Sequence, residues 1–211
     1  MSSGEKQCWE LLAKLNPDDV CKKAQALYDK AASFYTLEAF GIDIHIAPKE
    51  ETIFSHAAGN QVLLQRLAYF SRLSILRYLT GAKDIPLSGE LIKPVNLKGG
   101  QLFFRGTHVL PCDALAEKYG NNIEGFLAKG SELGGEQLKY GDASVRLFPL
   151  PKVPVVLILW RVDEEFPARL DLLFDSACEI QLPIDIIWSV AMMSLPGNGS
   201  HIIAVCTLKK Y

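Results

Sequence analysis

Residues 155–175 read VVLILWRVDEEFPARLDLLFD, and this stretch decides the fold class. Two apolar runs, Val155–Trp160 and Leu170–Phe174, flank an acidic turn at Asp163–Pro167, which is the pattern of an antiparallel hairpin. Each run is far shorter than the roughly 20 apolar residues of a membrane-spanning helix. The neighbouring prolines belong at strand ends or edges and not in a central ladder. The sequence therefore predicts a buried strand pair within a sheet.

Helices precede this hairpin along the chain. Asn16 can cap a helix that starts at Pro17, and apolar residues then recur at helical spacing as far as Phe34. A shorter helix with Trp9 and Leu12 on its apolar side comes before it. The same spacing, together with glycine stops, predicts further helices at 60–80, 113–119, 123–129 (closed by Gly130) and 183–195.

A period of two residues marks additional strands. Ile42, Ile44 and Ile46 alternate with polar side chains, and a turn at Pro48–Glu50 leads into a short strand at 52–54. Extended segments are also predicted at 102–105, 143–148 and 202–208. Helices first and strands later, without regular alternation, are typical of the α+β class. We expect N-terminal helices packed on a mostly antiparallel sheet, in a single domain over residues 1–211.

The composition is that of an ordinary globular chain, with 211 residues of which 49% are hydrophobic and 22% charged. Its 22 Lys and Arg against 24 Asp and Glu lack the basic excess of a nucleic-acid-binding domain. The sequence shows no secretory signal or membrane-helix segment, so we expect a cytoplasmic protein with no membrane or nucleic-acid partner.

The five cysteines form no Cys-x-x-Cys pair, and we interpret them as reduced, mostly buried thiols. Cys112 stands apart because it lies at a predicted helix start, where the helix dipole can lower the pKa of a thiol. The four histidines, His45, His56, His108 and His201, have no metal-ligand spacing in the sequence, so a metal site would have to assemble in three dimensions. No nucleophile-elbow or phosphate-loop motif occurs in the sequence.

Carboxylates concentrate at the predicted hairpin. Asp163, Glu164 and Glu165 lie at its turn, and Asp171 and Asp175 share one face of its second strand. Carboxylate oxygens suit Mg²⁺ or Ca²⁺, and crowded like charges can raise the pKa of a carboxyl group for acid–base chemistry. The alternative interpretation is a solvated acidic turn whose charges pair with nearby arginines.

Arginines adjoin the same strands. Forked guanidinium groups recognise carboxylates and phosphates, and four arginines are candidates for this role, although ion pairs with the acidic residues explain them equally well: Arg105, Arg146, Arg161 and Arg169. A polar cluster in which Asp142 faces Trp160 would make a ligand pocket. The candidate ligand-binding residues are the polar and aromatic residues around this hairpin: Arg105, Asp142, Trp160, Asp163, Glu164, Glu165, Arg169 and Asp175.

Motifs around the hairpin also indicate a family. Gly134-Gly135, then Gly141–Ser144, then the acidic string Asp163–Ala168 with Leu173–Asp175 behind it, are found in this order. In these motifs the chain, from about Leu11 to Leu195, resembles an uncharacterised prokaryotic family known as domain of unknown function 3786. The resemblance implies that in some relatives from anaerobic lineages the domain is fused to a cysteine-rich iron–sulfur segment. The scattered cysteines of this chain do not match such a segment. The resemblance implies no established activity.

We expect a cytosolic module that binds a small anionic ligand, a cofactor or a protein partner, with a place in anaerobic metabolism implied only by the resemblance. One alternative is a carboxylate-based, metal-dependent enzyme acting on a small anionic substrate. Another is a protein interaction module, which would present an exposed apolar patch around Trp188, Met192 and Met193. The sequence assigns no catalytic residue and no cofactor.

Overall fold

Two antiparallel sheets organise the chain in the computed structural model, which describes residues 2–58 and 60–195. The first sheet has the order β1-β2-β3-β4, with β1 Leu27–Asp29, β2 Phe34–Ala39, β3 Ile42–Ala47 and β4 Thr52–Phe54. The second has the order β5-β9-β8-β7-β6, with β5 Leu91–Ile92, β6 Glu136–Leu138, β7 Ala143–Leu147, β8 Val155–Trp160 and β9 Arg169–Asp175. The α+β class and the central hairpin are confirmed, and the strands form two sheets instead of one.

Helices precede and separate these sheets. Their bounds are α1 Ser3–Leu12, α2 Pro17–Ala24, α3 Ala68–Gly81, α4 Gly100–Phe103, α5 Cys112–Tyr119, α6 Ile123–Glu132, α7 Cys178–Gln181 and α8 Ile184–Met193. A π-helical segment, Val62–Arg66, leads into α3. Among residues 2–58 and 60–195, no helix combines the length and the apolar character needed to cross a membrane.

The start of α2 is as predicted, but its end is not. Asn16 Oδ1 accepts a hydrogen bond of 2.8 Å from Asp18 N, and Pro17 occupies the first helical position. The prediction that this helix extends to Phe34 is wrong, because Gln25 adopts a left-handed backbone with φ 53° and ends the helix. Leu27 then belongs to β1 and is 73% exposed, so the helical spacing of apolar residues does not reflect a buried stripe beyond Ala24.

Three other predictions need correction. The expected strand at 102–105 does not form, because Gly99 has a left-handed backbone (φ 78°) that turns the chain into α4, and the two residues after this helix form a bend. Gly130 does not end α6, which continues to Glu132 before a left-handed Gly134. Met192 and Met193 are buried and cannot form an exposed patch with Trp188. The strand predicted at 202–208 lies outside the described residues.

The two sheets touch through their backbones. Phe40 N, in the β2–β3 turn, donates a hydrogen bond of 2.8 Å to Phe148 O, just after β7. Gly41 in the same turn meets Gly134, and both have positive φ angles of 71° and 65°. A side-chain carbon on Gly134 would lie 2.8 Å from Gly41 Cα, so both positions require glycine for this close approach.

Tyr78 of α3 joins segments that are distant in sequence. Its side chain is fully buried, and its hydroxyl donates a hydrogen bond of 3.1 Å to Ala24 O at the end of α2. The same oxygen accepts a hydrogen bond of 3.1 Å from Lys152 N in the β7–β8 connection. Burial raises the pKa of Tyr78 above its ordinary value, so the hydroxyl stays neutral.

Replacing this hydroxyl should destabilise the fold. In Tyr78→Phe, both Ala24 O and Lys152 N lose their hydrogen-bond partner in the core, so the free energy of unfolding should fall by about 1–3 kcal/mol. Urea denaturation measures the change. Tyr69→Phe is the matched control, because Tyr69 is 73% exposed and should change stability by less than about 0.5 kcal/mol. Equal stability of the two variants would contradict the role assigned to Tyr78.

Candidate functional site

A cleft of about 450 Å³ opens at one end of the five-stranded sheet. At this end β8 stops, β9 and β7 begin, and the start of α5 lies close by. Four of the predicted residues line the cleft: Asp142, Trp160, Asp163 and Arg169. They are joined by Asp113, Arg161 and Phe166. The volume is in the range of small-molecule sites, which is roughly 300–1,000 Å³.

Asp171 fixes the indole ring of Trp160. Its Oδ2 accepts a hydrogen bond of 3.1 Å from Trp160 Nε1 and forms an ion pair with Arg169 Nη2 at 3.2 Å. Its Oδ1 accepts a hydrogen bond of 2.9 Å from Lys93 Nζ. The Arg169 guanidinium carbon lies 5.1 Å from the centre of the Trp160 ring, which is a cation–π distance. The ring is therefore held in place although the Trp160 residue as a whole is 40% exposed.

The charge state of Asp171 suits this anchoring role. Burial is the largest influence and raises the pKa of its carboxyl group, but the hydrogen bond and charge of Lys93, the charge of Arg169 and the indole N–H together outweigh it. The pKa of Asp171 consequently lies below its ordinary value. Asp171 stays ionised at neutral pH and keeps both Trp160 and Arg169 in position.

Two further carboxylates shape the loop between β8 and β9. Asp142 Oδ2 accepts a hydrogen bond of 2.8 Å from Arg161 N. Asp163 Oδ1 accepts hydrogen bonds of 2.9 Å from Glu165 N and 2.7 Å from Phe166 N, closing the acidic turn. These bonds explain why Asp142 and Asp163 lie at the cleft, since each carboxylate stabilises the backbone that forms its wall.

The remaining candidate residues lie away from the cleft. Glu164 and Glu165 are exposed on the turn and do not line it, and Arg105 is exposed ahead of a short 3₁₀ turn. Asp175 lies at the opposite end of β9. The five carboxylates considered at the hairpin therefore do not converge on one point. Within residues 2–58 and 60–195, no group of three or more His, Cys, Asp or Glu side chains is arranged to hold a metal ion.

Asp175 organises a loop. Its buried carboxylate accepts hydrogen bonds of 3.0 Å from Ser88 N, 2.9 Å from Ser88 Oγ, 2.8 Å from Gly89 N and 3.0 Å from Ala177 N. Burial has the largest single influence and raises the pKa of Asp175, yet these hydrogen bonds together lower it below the ordinary value. The carboxylate thus attaches the segment before β5 to the end of β9.

The pKa of the Cys112 thiol differs from the value expected at a helix start. It is the first residue of α5, where the helix dipole favours a thiolate. Burial, together with the negative charges of Asp113 and Asp171, instead raises the pKa of the Cys112 thiol to about 12. The prediction of a lowered pKa is therefore wrong, and Cys112 is a protonated thiol at neutral pH.

The sequence places Asp171 among the carboxylates of the hairpin and Arg161 among the arginines beside its strands, but it does not select either as a ligand-binding residue. Strand register is the signal that would have selected Asp171. Trp160 pairs with Arg169, and Ile158 pairs with Asp171, so Asp171 is the diagonal neighbour of Trp160 on the same face. Register depends on the length and shape of the acidic turn, which composition and spacing do not determine.

A family model described as Domain of unknown function (DUF3786) matches residues 16–195. The chain belongs to the DUF3786 family. The matched part of this DUF3786 chain includes both sheets and the entire cleft, whereas α1 precedes it. Comparisons with curated proteins and with solved structures find no match. The family resemblance is confirmed, and because DUF3786 is a domain of unknown function, a role for the chain must be proposed from its geometry.

The Asp175 carboxylate should make stability depend on pH. Because the pKa of Asp175 is lower in the folded chain than the value of about 3.9 in an unfolded chain, its ionised form stabilises the fold above that pH. This contribution is lost as the pH falls through the folded pKa. Asp175→Asn should therefore be less stable than the natural chain at pH 7, with a smaller difference at pH 3, as measured by urea denaturation. Glu164→Gln, on the exposed turn, is the control that should show no such narrowing. A difference that stays constant with pH would contradict the assignment.

Proposed function

We propose that this protein binds a small, planar, anionic ligand in the cleft at Trp160. The observation that carries the proposal is the fixed position of the Trp160 ring. Its indole N–H donates a hydrogen bond to Asp171, and Trp160 remains partly exposed beside the cleft. A side chain ordered before binding loses little conformational entropy when a ligand stacks on it. Phe166 adds a second, more exposed aromatic side chain to the same cleft.

Arginine supports an anionic ligand. The Arg169 side chain is paired with Asp171. By contrast, the Arg161 side chain makes no ion pair or hydrogen bond with the described part of the chain, although its backbone N–H bonds to Asp142. Its guanidinium group can therefore donate a forked pair of hydrogen bonds to a carboxylate or phosphate without first breaking an internal contact.

Binding is favoured over acid–base catalysis by the direction of the pKa shifts. A carboxyl group that acts as a general acid near neutral pH needs a raised pKa. At this hairpin, Asp171 and Asp175 both have lowered pKa values and accept hydrogen bonds from protein donors.

The cytosol is the proposed compartment, because four cysteines of the described region form no disulfides, as is usual in a reducing environment: Cys8, Cys21, Cys112 and Cys178.

A titration with benzoate tests the proposal, with the indole N–H of Trp160 as the reporter in ¹⁵N NMR spectra. Benzoate is planar and anionic, and benzamide is its uncharged counterpart of nearly the same shape. We expect benzoate to shift the Trp160 signal in a saturable manner. Benzamide should bind at least about tenfold more weakly, since a charge-assisted hydrogen bond contributes about 1.5–3 kcal/mol. The Trp160→Phe variant assigns the signal.

Arginine variants then locate the anion. Arg161→Gln should weaken benzoate binding about tenfold and leave benzamide binding unchanged. Arg146→Gln is the matched control, because Arg146 pairs with Glu136 on β6, away from the cleft, and should bind benzoate like the natural chain. Equal affinities for benzoate and benzamide, or a Trp160 signal that neither compound shifts, would contradict the proposal.

A further inference from the structure

Two histidines without metal-ligand spacing in the sequence, His45 and His56, lie close together at the first sheet. His45 lies on β3, and His56 follows β4 by two residues. His45 pairs with Phe54 across the β3–β4 hairpin, and Ser55 Oγ donates a hydrogen bond of 2.6 Å to Asp43 O, so the chain after β4 stays alongside β3. The centres of the His45 and His56 rings are consequently 5.9 Å apart.

This separation suits ligation of one metal ion by both rings. An imidazole nitrogen lies about 1.1 Å from its ring centre, and a metal ion lies about 2.1 Å beyond the nitrogen. Two rings bound to the same ion therefore have centres roughly 4.5–6.4 Å apart for ligand–metal–ligand angles of about 90–180°. The observed 5.9 Å falls within this range, so the separation of the two rings is compatible with one shared ion.

Thr36 sets the orientation of His45. Its Oγ1 lies 3.0 Å from His45 Nδ1, which leaves Nε2 as the nitrogen available to a ligand. A hydrogen bond to the second nitrogen is the usual way in which proteins orient a metal-binding histidine. The rings of Phe34 and Phe54, with centres 5.0 and 5.1 Å from that of His45, restrict its movement further. His56 is exposed and can adjust to the ion.

We propose that His45 and His56 bind a divalent transition-metal ion of the class that prefers imidazole, such as Zn²⁺ or Ni²⁺, with water at the remaining coordination positions. Imidazole nitrogen is a good ligand for these ions, whereas the hard cations Mg²⁺ and Ca²⁺ prefer oxygen. This site is on the other sheet from the Trp160 cleft and does not depend on the ligand proposed there.

Titration of the tag-free, full-length chain with Ni²⁺ tests this site, because a histidine tag would itself bind the ion. Calorimetry should show one site, and His56→Gln and His45→Gln should each weaken binding at least tenfold. Thr36→Val keeps both ligands but removes the orienting hydrogen bond, and should weaken binding roughly tenfold, the lower end of the effect of such supporting contacts. His108→Gln is the matched control and should leave the affinity unchanged, because His108 stacks on Phe103 away from this sheet.

Histidine NMR spectra of the unmutated chain give a second, independent readout. Paramagnetic Ni²⁺ should broaden the ring signals of His45 and His56 before that of His108. Unchanged affinity in His56→Gln, or broadening of His108 ahead of the pair, would overturn the proposal. Co²⁺ absorption distinguishes thiolate from imidazole ligation, and a thiolate charge-transfer band at the first equivalent would also overturn it.

Discussion

The hydroxyl group of Tyr78 is the contact on which the packing of this chain depends most directly. It lies in the core and satisfies two backbone groups at once, one at the end of α2 and one between β7 and β8. Each of those groups is distant in sequence from α3, so the hydroxyl brings the N-terminal helices and the five-stranded sheet to a common centre. A buried polar atom with both partners in place rigidifies the elements around it, whereas a missing partner leaves a desolvated group without compensation.

Other buried polar groups extend this connection. Lys152 is almost completely buried, and its Nζ contacts Lys83 O at 3.2 Å and Asp84 Oδ1 at 3.4 Å. Gln181 of α7 is hydrogen-bonded to both the N–H and the carbonyl of Lys83. The segment after α3 is therefore fixed by groups from two other parts of the chain. The register of β7, β8 and β9 places Trp160 beside Arg169 at the cleft.

The predictions from sequence were accurate where one local pattern determined the structure. The hairpin at 155–175 follows from two apolar runs and an acidic turn, and the start of α2 follows from Asn16 and Pro17. They were wrong where a single backbone angle decided the outcome. Nothing in residues 20–34 signals that Gln25 takes a left-handed conformation, and the apolar spacing continues past it by coincidence with a short strand.

At the candidate site, too, local sequence patterns predicted some neighbours and could not predict others. Trp160, Asp142 and Asp163 were predictable as neighbours because all three belong to connected strands or their turns. Asp175 looked equivalent to Asp171 by strand periodicity, but the two carboxylates lie at different distances from the end of β9 and bind different partners. The proximity of His45 and His56 was not predictable, because it depends on how the chain continues after β4. Contacts between side chains of different strands require the register, and register is a property of the assembled sheet.

The strand order within each sheet also bears on how the chain folds. Within residues 2–58 and 60–195, nearly every strand pairs with its neighbour in sequence, and β5 beside β9 is the exception. Such local pairing closes short loops and is fast, whereas contacts of high sequence separation are slow to form. The meeting of Gly41 and Gly134 joins two meanders that can each assemble beforehand. If the two meanders assemble before the sheets dock, this backbone contact forms late, and its strength then governs chiefly the rate at which the native protein unfolds.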